Sequence, residues 1–497
     1  MLQENPCATL PRLAFRGVVG LLVALALAGG GALADAAELP DLGESARAEI
    51  SAQMERKIGE RIMNEIRLRE PTYVDDAEVS DYLNRLGGRL VQASANPAGN
   101  FHFFAIRDPS INAFAMFGGF IGVNTGTILT AQTESELAGV IAHEIAHVTQ
   151  NHLARQIARE KQMTIPSMIA MAVGVLAARA NSSVAAGAVM SAQAGVVQAQ
   201  LAYSRDFERE ADRAGYQTLD KASFDVRGMG DFFERLQKSG RLYESSAPVY
   251  LRSHPLTLER ISDIQNRVQN SPYRQVVSDL DFHLVRAKLR AQLGTPSEAV
   301  SEFRTQLAER KYASPAAARY GLAVALLRAK DYVAAQREAD ALRALDLSSP
   351  LLDGLFAETR IAAGDAAGAQ AIYRNALQRF PQAKSLVYAY VDSLYMARHY
   401  DSAVGFLEAR LQSEQADDKL HALLAKNYAA LGKRLLQHRA QAEAYLLQGQ
   451  LGPAVEQLQF AQQSGDGNFY EQSAVDARLR ELRKLQAEEA LLKRNVG

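Results

Sequence analysis

The sequence predicts a mainly helical protein: an α+β domain with a small β-sheet, followed by an α-helical solenoid of paired helices. Three observations carry this. Two β-prone stretches, FHFFAI (101–106) and NAFAMFGGFIGVNTG (112–126), sit among amphipathic helical segments. From about Asp279 the chain becomes alanine-rich, with a small residue recurring after each turn at a near-constant spacing. A length of 497 residues is too great for one core.

At the N-terminus, Arg12 and Arg16 precede an apolar run from Val18 to Ala28, then glycines and Ala32-Leu33-Ala34. A basic start, a short apolar middle and a small-x-small site predict a secretory signal peptide over 1–34, cleaved after Ala34, with Ala36 the next site. The run is too short to span comfortably as a helix. Cys7, the only cysteine, lies before it, so no lipid anchor is expected and the exported chain would carry no thiol. Lys and Arg number 55 against 56 Asp and Glu, which argues against nucleic acid as a partner.

Residues 42–100 are expected to be helical, with a turn at Pro71 and a loop around Asn96-Pro97. FHFFAI reads as a strand, and NAFAMFGGFIGVNTG as two strands about a bend at Gly118-Gly119. Thr133 and Glu136 form a T-x-x-E box that starts a helix running to about Arg155. Between 164 and 203 the sole charge is Arg179, which leaves two readings: buried core helices, or a pair lying over the site or against a bilayer surface. Helix resumes over 204–219 and again to about Asn270. Beyond this, Ala299, Ala335, Ala369, Ala403 and Ala454 follow turns at spacings of 36, 34, 34 and 51. A period of about 34 residues is the tetratricopeptide signature, its small residue sitting where two helices cross closely. The long gap marks an irregular repeat within 427–439. The expected organisation is a signal peptide (1–34), an α+β domain (35–275) and a repeat solenoid (276–497) able to dock partners in its concave face.

The stretch IAHEIAH places His143 and His147 four apart on one helical face, with Glu144 beside the first. Neutral imidazoles suit zinc, which keeps three protein ligands and one open position. Zinc acidifies a water there, and Glu144 can take the proton. Glu208 and Asp212 lie one turn apart on a later helix: Glu208 can supply the third ligand while Asp212 orients His143. Spacing alone leaves Glu210 and Asp206 arguable as ligands. His152 falls about 140° round a continuous helix from His147 and is expected at the surface or supporting the site, not as a ligand. His254 and Arg260 could hold a developing oxyanion; His254 could instead fill the open metal position or merely cap a helix. GGFIGVN (118–124) could pair with an extended substrate or be purely structural.

Four ordered blocks over 112–261, NAFAMFGGFIGVNTG, ESELAGVIAHEIAHV, SRDFEREADRAG and SHPLTLERI, resemble the CaaX-prenyl-protease/HtpX-like family of gluzincin metallopeptidases. The resemblance implies a gluzincin fold, one Zn2+ per subunit held by His143, His147 and Glu208, and Glu144 as base. Asp212, His254 and Arg260 match further positions of its site. Phe117 departs from the proline usual before Gly-Gly. With the export signal and repeats, nearly the whole chain resembles envelope quality-control members of that family in Gram-negative periplasms. This implies a periplasmic endopeptidase acting on misfolded or stalled outer-membrane β-barrel proteins and aiding their assembly. The implied partners are those proteins, the β-barrel assembly machinery and the lipopolysaccharide-transport barrel. A chaperone or scaffold working through its repeats, with proteolysis secondary, is the alternative.

Overall fold

The structure is a computed structural model that describes residues 51–159, 205–242, 249–272 and 274–496. The expected signal peptide and the 164–203 segment lie outside these residues. The chain is mainly helical with one small sheet, as the sequence predicts. Two helices open it, α1 (Ala52–Arg69) and α2 (Ala77–Ala93), capped by the side chains of Ser51 and Asp76. Their buried stripes, including Ile58, Ile62 and Ile66 on α1 and Val79, Leu83, Leu86 and Leu90 on α2, carry helical periodicity.

The sheet has three strands, β1 (His102–Ile106), β2 (Ala113–Ala115) and β3 (Phe120–Asn124), in the order β1-β3-β2. β1 runs parallel to β3 and β2 antiparallel to it. The two strands expected about Gly118-Gly119 form, but the substrate-pairing role open to GGFIGVN is corrected here. Both edges of β3 are already paired, so it has no free backbone to offer; β1 and β2 are the edge strands, and β2 packs on the helix carrying IAHEIAH. Gly118 and Gly119 hold the bend with φ of 71° and 80°, and a Cβ on Gly119 would lie 2.4 Å from the Asn100 carbonyl oxygen.

After the short α3 (Thr125–Thr130) comes α4 (Glu134–Thr149), capped by Thr133, whose hydroxyl accepts from the Glu136 N–H. The capping box is only half formed. The Glu136 carboxylate accepts instead from the Gln132 N–H at 2.9 Å and from Arg235, also at 2.9 Å. The helix expected to run to Arg155 breaks early: Asn151 takes φ 52°, and a separate helix α5 (His152–Arg159) begins. Then follow α6 (Arg205–Lys221), α7 (Arg227–Leu242), α8 (Val249–Ser253) and α9 (Leu258–Gln269).

The repeat region pairs α10 (Leu280–Ala291) with α11 (Pro296–Glu309), α12 (Pro315–Arg328) with α13 (Tyr332–Arg343), and α14 (Pro350–Ala362) with α15 (Ala366–Arg379). It continues with α16 (Lys384–Met396), α17 (Tyr400–Leu411), α18 (Asp418–Ala430), α19 (Arg434–Leu447), α20 (Leu451–Gln463) and α21 (Phe469–Val496). All five recurring alanines are buried, on α11, α13, α15, α17 and α20. The 51-residue gap divides at Gln437, 34 residues after Ala403 and 17 before Ala454. There α19 closes one repeat and opens the next, packing on both α18 and α20. Among the described residues, no helix is long and apolar enough to cross a membrane.

One hydrophobic core runs from Val74 through the sheet and α4 into the repeats as far as Phe356. Polar contacts tie the same elements together. Lys288 on α10 lies 2.8 Å from Asp76 and 2.6 Å from Glu78 at the start of α2. The Tyr320 hydroxyl donates to Glu78 at 3.1 Å, and the Ser385 N–H to Asp81 at 2.9 Å. Lys419 reaches Asp75 at 3.5 Å. Successive repeats thus turn the first helix of each pair toward α2. Lys288→Met leaves two carboxylates facing each other with no cation between them. It is expected to lower stability by roughly 3 kcal/mol, read from urea unfolding, with most of the loss recovered when Asp76→Asn and Glu78→Gln are added.

Candidate metal centre

The site begins with the crossing of α4 and α6. Gly215 on α6 meets α4 at His143, where a Cβ would lie 3.1 Å from both the Cα and the backbone nitrogen of His143. That close approach brings Glu208 and Asp212, on one face of α6, beside His143 and His147 on α4. His254 directly follows α8 and precedes Pro255, and Thr257 caps α9 so that Arg260 stands in its first turn. His143, Glu144, His147, Glu208, Asp212, Gly215, His254 and Arg260 are all buried, while Pro255 and Thr257 keep partial exposure.

His143 Nε2 and His147 Nε2 are 3.0 Å apart. Glu208 places one carboxylate oxygen 3.5 Å from the first and the other 3.6 Å from the second. His254 Nδ1 lies 3.0 Å from Glu208 Oε1 and 3.4 Å from His143 Nε2. One ligand atom from each of these four residues falls within 4.8 Å of all the others. Donors at zinc-ligand distance on a tetrahedron stand about 3.4 Å apart, close to the spacings found here.

Charge supports the same fit. Glu144, Glu208 and Asp212 are three buried carboxyls, and Arg260 is the one buried guanidinium among them. Its Nε and Nη2 each lie 2.7 Å from Asp212, Nη1 lies 2.6 Å from Glu208, and Nη1 also donates to the Pro255 carbonyl at 2.8 Å. A divalent cation would balance the remaining two carboxylates. Burial opposes charge on His143, but its hydrogen bonds to Asp212 and Glu208 carry its pKa up to about 9. Burial and the neighbouring His143 charge push His147 well down. Burial raises Glu144; it opposes ionisation of Glu208 too, yet the His254 charge and the imidazole hydrogen bonds hold Glu208 well below the usual range.

Asp212 Oδ1 is 3.0 Å from His143 Nδ1, on the ring edge away from the donor cluster. Arg260 has its nitrogens on Asp212, Glu208 and a carbonyl, an arrangement suited to orienting those carboxylates. Glu144 is fully buried, approached by the Ala115 backbone N–H at the end of β2 and by His254 Nε2 at 3.5 Å. Of the alternative ligands, Asp206 pairs with Arg209 at an exposed position and Glu210 points to Arg155 and His152. Neither joins the donor cluster.

Of the two places open to His152, the surface or a support of the site, the structure takes the second: it is wholly buried behind His147. Tyr250, which the sequence did not single out, stacks on His254 with ring centroids 4.5 Å apart. The early end of α4 decides the place of His152; for Tyr250, four places before His254, the i, i+4 spacing was the available signal.

Residues 77–268 match peptidase family M48, and residues 360–426 match the tetratricopeptide repeat. The beta-barrel assembly-enhancing protease of Escherichia coli is 31% identical over 464 residues, covering 92% of this chain and 93% of that protein. The chain belongs to the beta-barrel assembly-enhancing protease family. It is a metallopeptidase with an M48 domain and a C-terminal tetratricopeptide region. A Vibrio cholerae relative is 40% identical over 258 residues, which is 52% of this chain and 53% of that protein. The mitochondrial metalloendopeptidase OMA1 of Schizosaccharomyces pombe is 27% identical over 199 residues, 40% of this chain and 56% of that one.

In this M48 peptidase, Arg260→Ala leaves Glu208 and Asp212 buried without their guanidinium. A stability loss of about 3–5 kcal/mol is expected, measured by chemical denaturation of the metal-free protein. Arg260→Lys should restore little of it, because an ammonium cannot bridge both carboxylates as the planar fork does.

Proposed function

We propose that this protein is a periplasmic zinc endopeptidase that removes misfolded or stalled outer-membrane β-barrel proteins and assists their assembly. The observation that carries the reading is the buried convergence of His143, His147 and Glu208, with Glu144 next to the first histidine in sequence. In this reading His143, His147 and Glu208 hold one zinc ion per subunit, whose donor chemistry suits neutral imidazole and carboxylate. Zinc bound there supplies Lewis acidity toward water and a peptide carbonyl.

Glu144 is the general base: it takes a proton at its carboxylate and returns it to the leaving amine. Burial raises its pKa, which suits a group that must both accept and release a proton. Asp212 holds His143 through Nδ1, and Arg260 holds Asp212 and Glu208. An extended substrate pairs with the outer edge of β2, beside α4. His254 stands among the metal donors and against Glu144, so its ring closes the site and must move aside for substrate.

The substrate class rests on what the full-length relatives are named for. The compartment rests on the expected signal peptide at 1–34, with the peptidase over 35–275 and the array over 276–497. The array is the surface for clients, the β-barrel assembly machinery and the lipopolysaccharide-transport barrel; its face toward α2 is already taken, so these partners use what α2 leaves open.

Metal analysis beside casein hydrolysis tests the reading. His143→Ala is expected to lose both metal and activity. Glu144→Gln is expected to keep the metal while hydrolysis falls by ~10²–10⁴-fold, the range of a lost general base. Full rescue of an envelope defect by Glu144→Gln would favour the scaffold alternative instead.

A further inference from the structure

The two histidines of α4 are supported differently. Behind His143 stands a carboxylate, Asp212, paired with an arginine, Arg260. Behind His147 stands another imidazole. His152 Nδ1 lies 2.9 Å from His147 Nδ1, and His152 Nε2 lies 2.9 Å from Glu210 Oε2. Glu210 Oε2 is in turn 2.7 Å from Arg155 Nη1. Both histidines are thus backed by a carboxylate–arginine pair, with one extra ring inserted on the His147 side.

That extra ring determines where protons sit. Two ring nitrogens 2.9 Å apart share one hydrogen, since neither two lone pairs nor two N–H groups fit there. Glu210 decides which ring owns it. A carboxylate held by Arg155 is an acceptor, so it takes the N–H of His152 at Nε2. A neutral His152 then has a bare Nδ1, and the shared hydrogen belongs to His147 Nδ1. The lone pair of His147 is left on Nε2, the atom that faces His143 and Glu208.

We propose that His152 and Glu210 are positioning residues that fix the tautomer and ring orientation of His147 for metal binding, as Asp212 does for His143. The proposal rests on the reading of His147 as a metal ligand. The packing of His152 is built for a fixed ring: it is wholly buried, its plane lies 10° from that of Phe207 at a centroid distance of 4.6 Å, and Arg155 covers the same phenyl ring at 4.5 Å. The break at Asn151 makes it possible. On an unbroken helix His152 would point away from His147; restarting the helix turns it back inward.

The test is zinc affinity of the full chain, measured by competition with a chromophoric chelator. His152→Phe keeps the ring and its stack on Phe207 but removes the acceptor, and should weaken zinc binding by about 10–100-fold, the usual cost of losing such a support. Glu210→Gln retains an acceptor for His152 and should stay much nearer wild type than Glu210→Ala, which sits at a half-exposed position and tests the proposal even if His152→Phe fails to fold. In the zinc-loaded wild type, histidine 15N spectra should show the His147 proton on Nδ1. Zinc affinity within twofold of wild type in His152→Phe or in Glu210→Ala, or a His147 proton on Nε2, would overturn the proposal. Wild-type protein that binds no zinc would instead remove the metal reading itself.

Discussion

Three buried carboxyls facing one buried guanidinium is the constraint on which the rest of this structure turns. Uncompensated charge in a dry interior costs several kcal/mol per ion, so the cluster must draw positive charge from elsewhere. His143, bonded to both Glu208 and Asp212, supplies some of it, since those hydrogen bonds favour its charged form. A divalent cation does the same with better balance. The geometry follows from helix packing. Gly215 lets α6 press against the backbone of α4, and that contact brings Glu208 within reach of both histidine rings.

The same economy of placement explains the break after α4. A helix continued past Thr149 would carry His152 away from the cluster. Asn151 adopts a left-handed conformation that asparagine tolerates better than most residues, and the chain restarts with His152 against His147. Each histidine of α4 is thereby held from behind, one directly by a carboxylate and one through a second ring. The unevenness of the two supports matches the elements available: α6 passes close to His143, while Glu210 on the same helix reaches the other side only through His152.

The repeats are part of the same packed body as the peptidase. Their first helices lie along α2, and α2 packs on α4, where the Tyr82 hydroxyl donates to Glu134 at 3.0 Å. The array therefore reaches α4 both through α2 and directly, where the Asp279 N–H donates to Glu134 at 3.3 Å. A surface often free for partners in such arrays is here shared with the chain's own peptidase region. The repeat that breaks period does so by reusing α19 on both sides, which keeps the stacking continuous where Gln437 replaces the small residue.

The sequence by itself determined the helical character, the three short strands, the repeat period and the pairing of His143 with His147. Those are local properties, written in spacings of two, four and about thirty-four residues. It also brought Glu208 and Asp212 forward as acids at i, i+4, though spacing left Asp206 and Glu210 arguable and only the family resemblance separated them. What it could not determine was anything that depends on direction between elements. β3 became the central strand because β1 pairs with it in parallel, a choice no turn signal records. Arg260 lies on Asp212 and Glu208 rather than open to a substrate oxygen because α9 starts where Thr257 caps it, over α6. His152 turned inward because one backbone torsion changed sign. Periodicity fixes which face of an element is apolar; only packing fixes what that face meets.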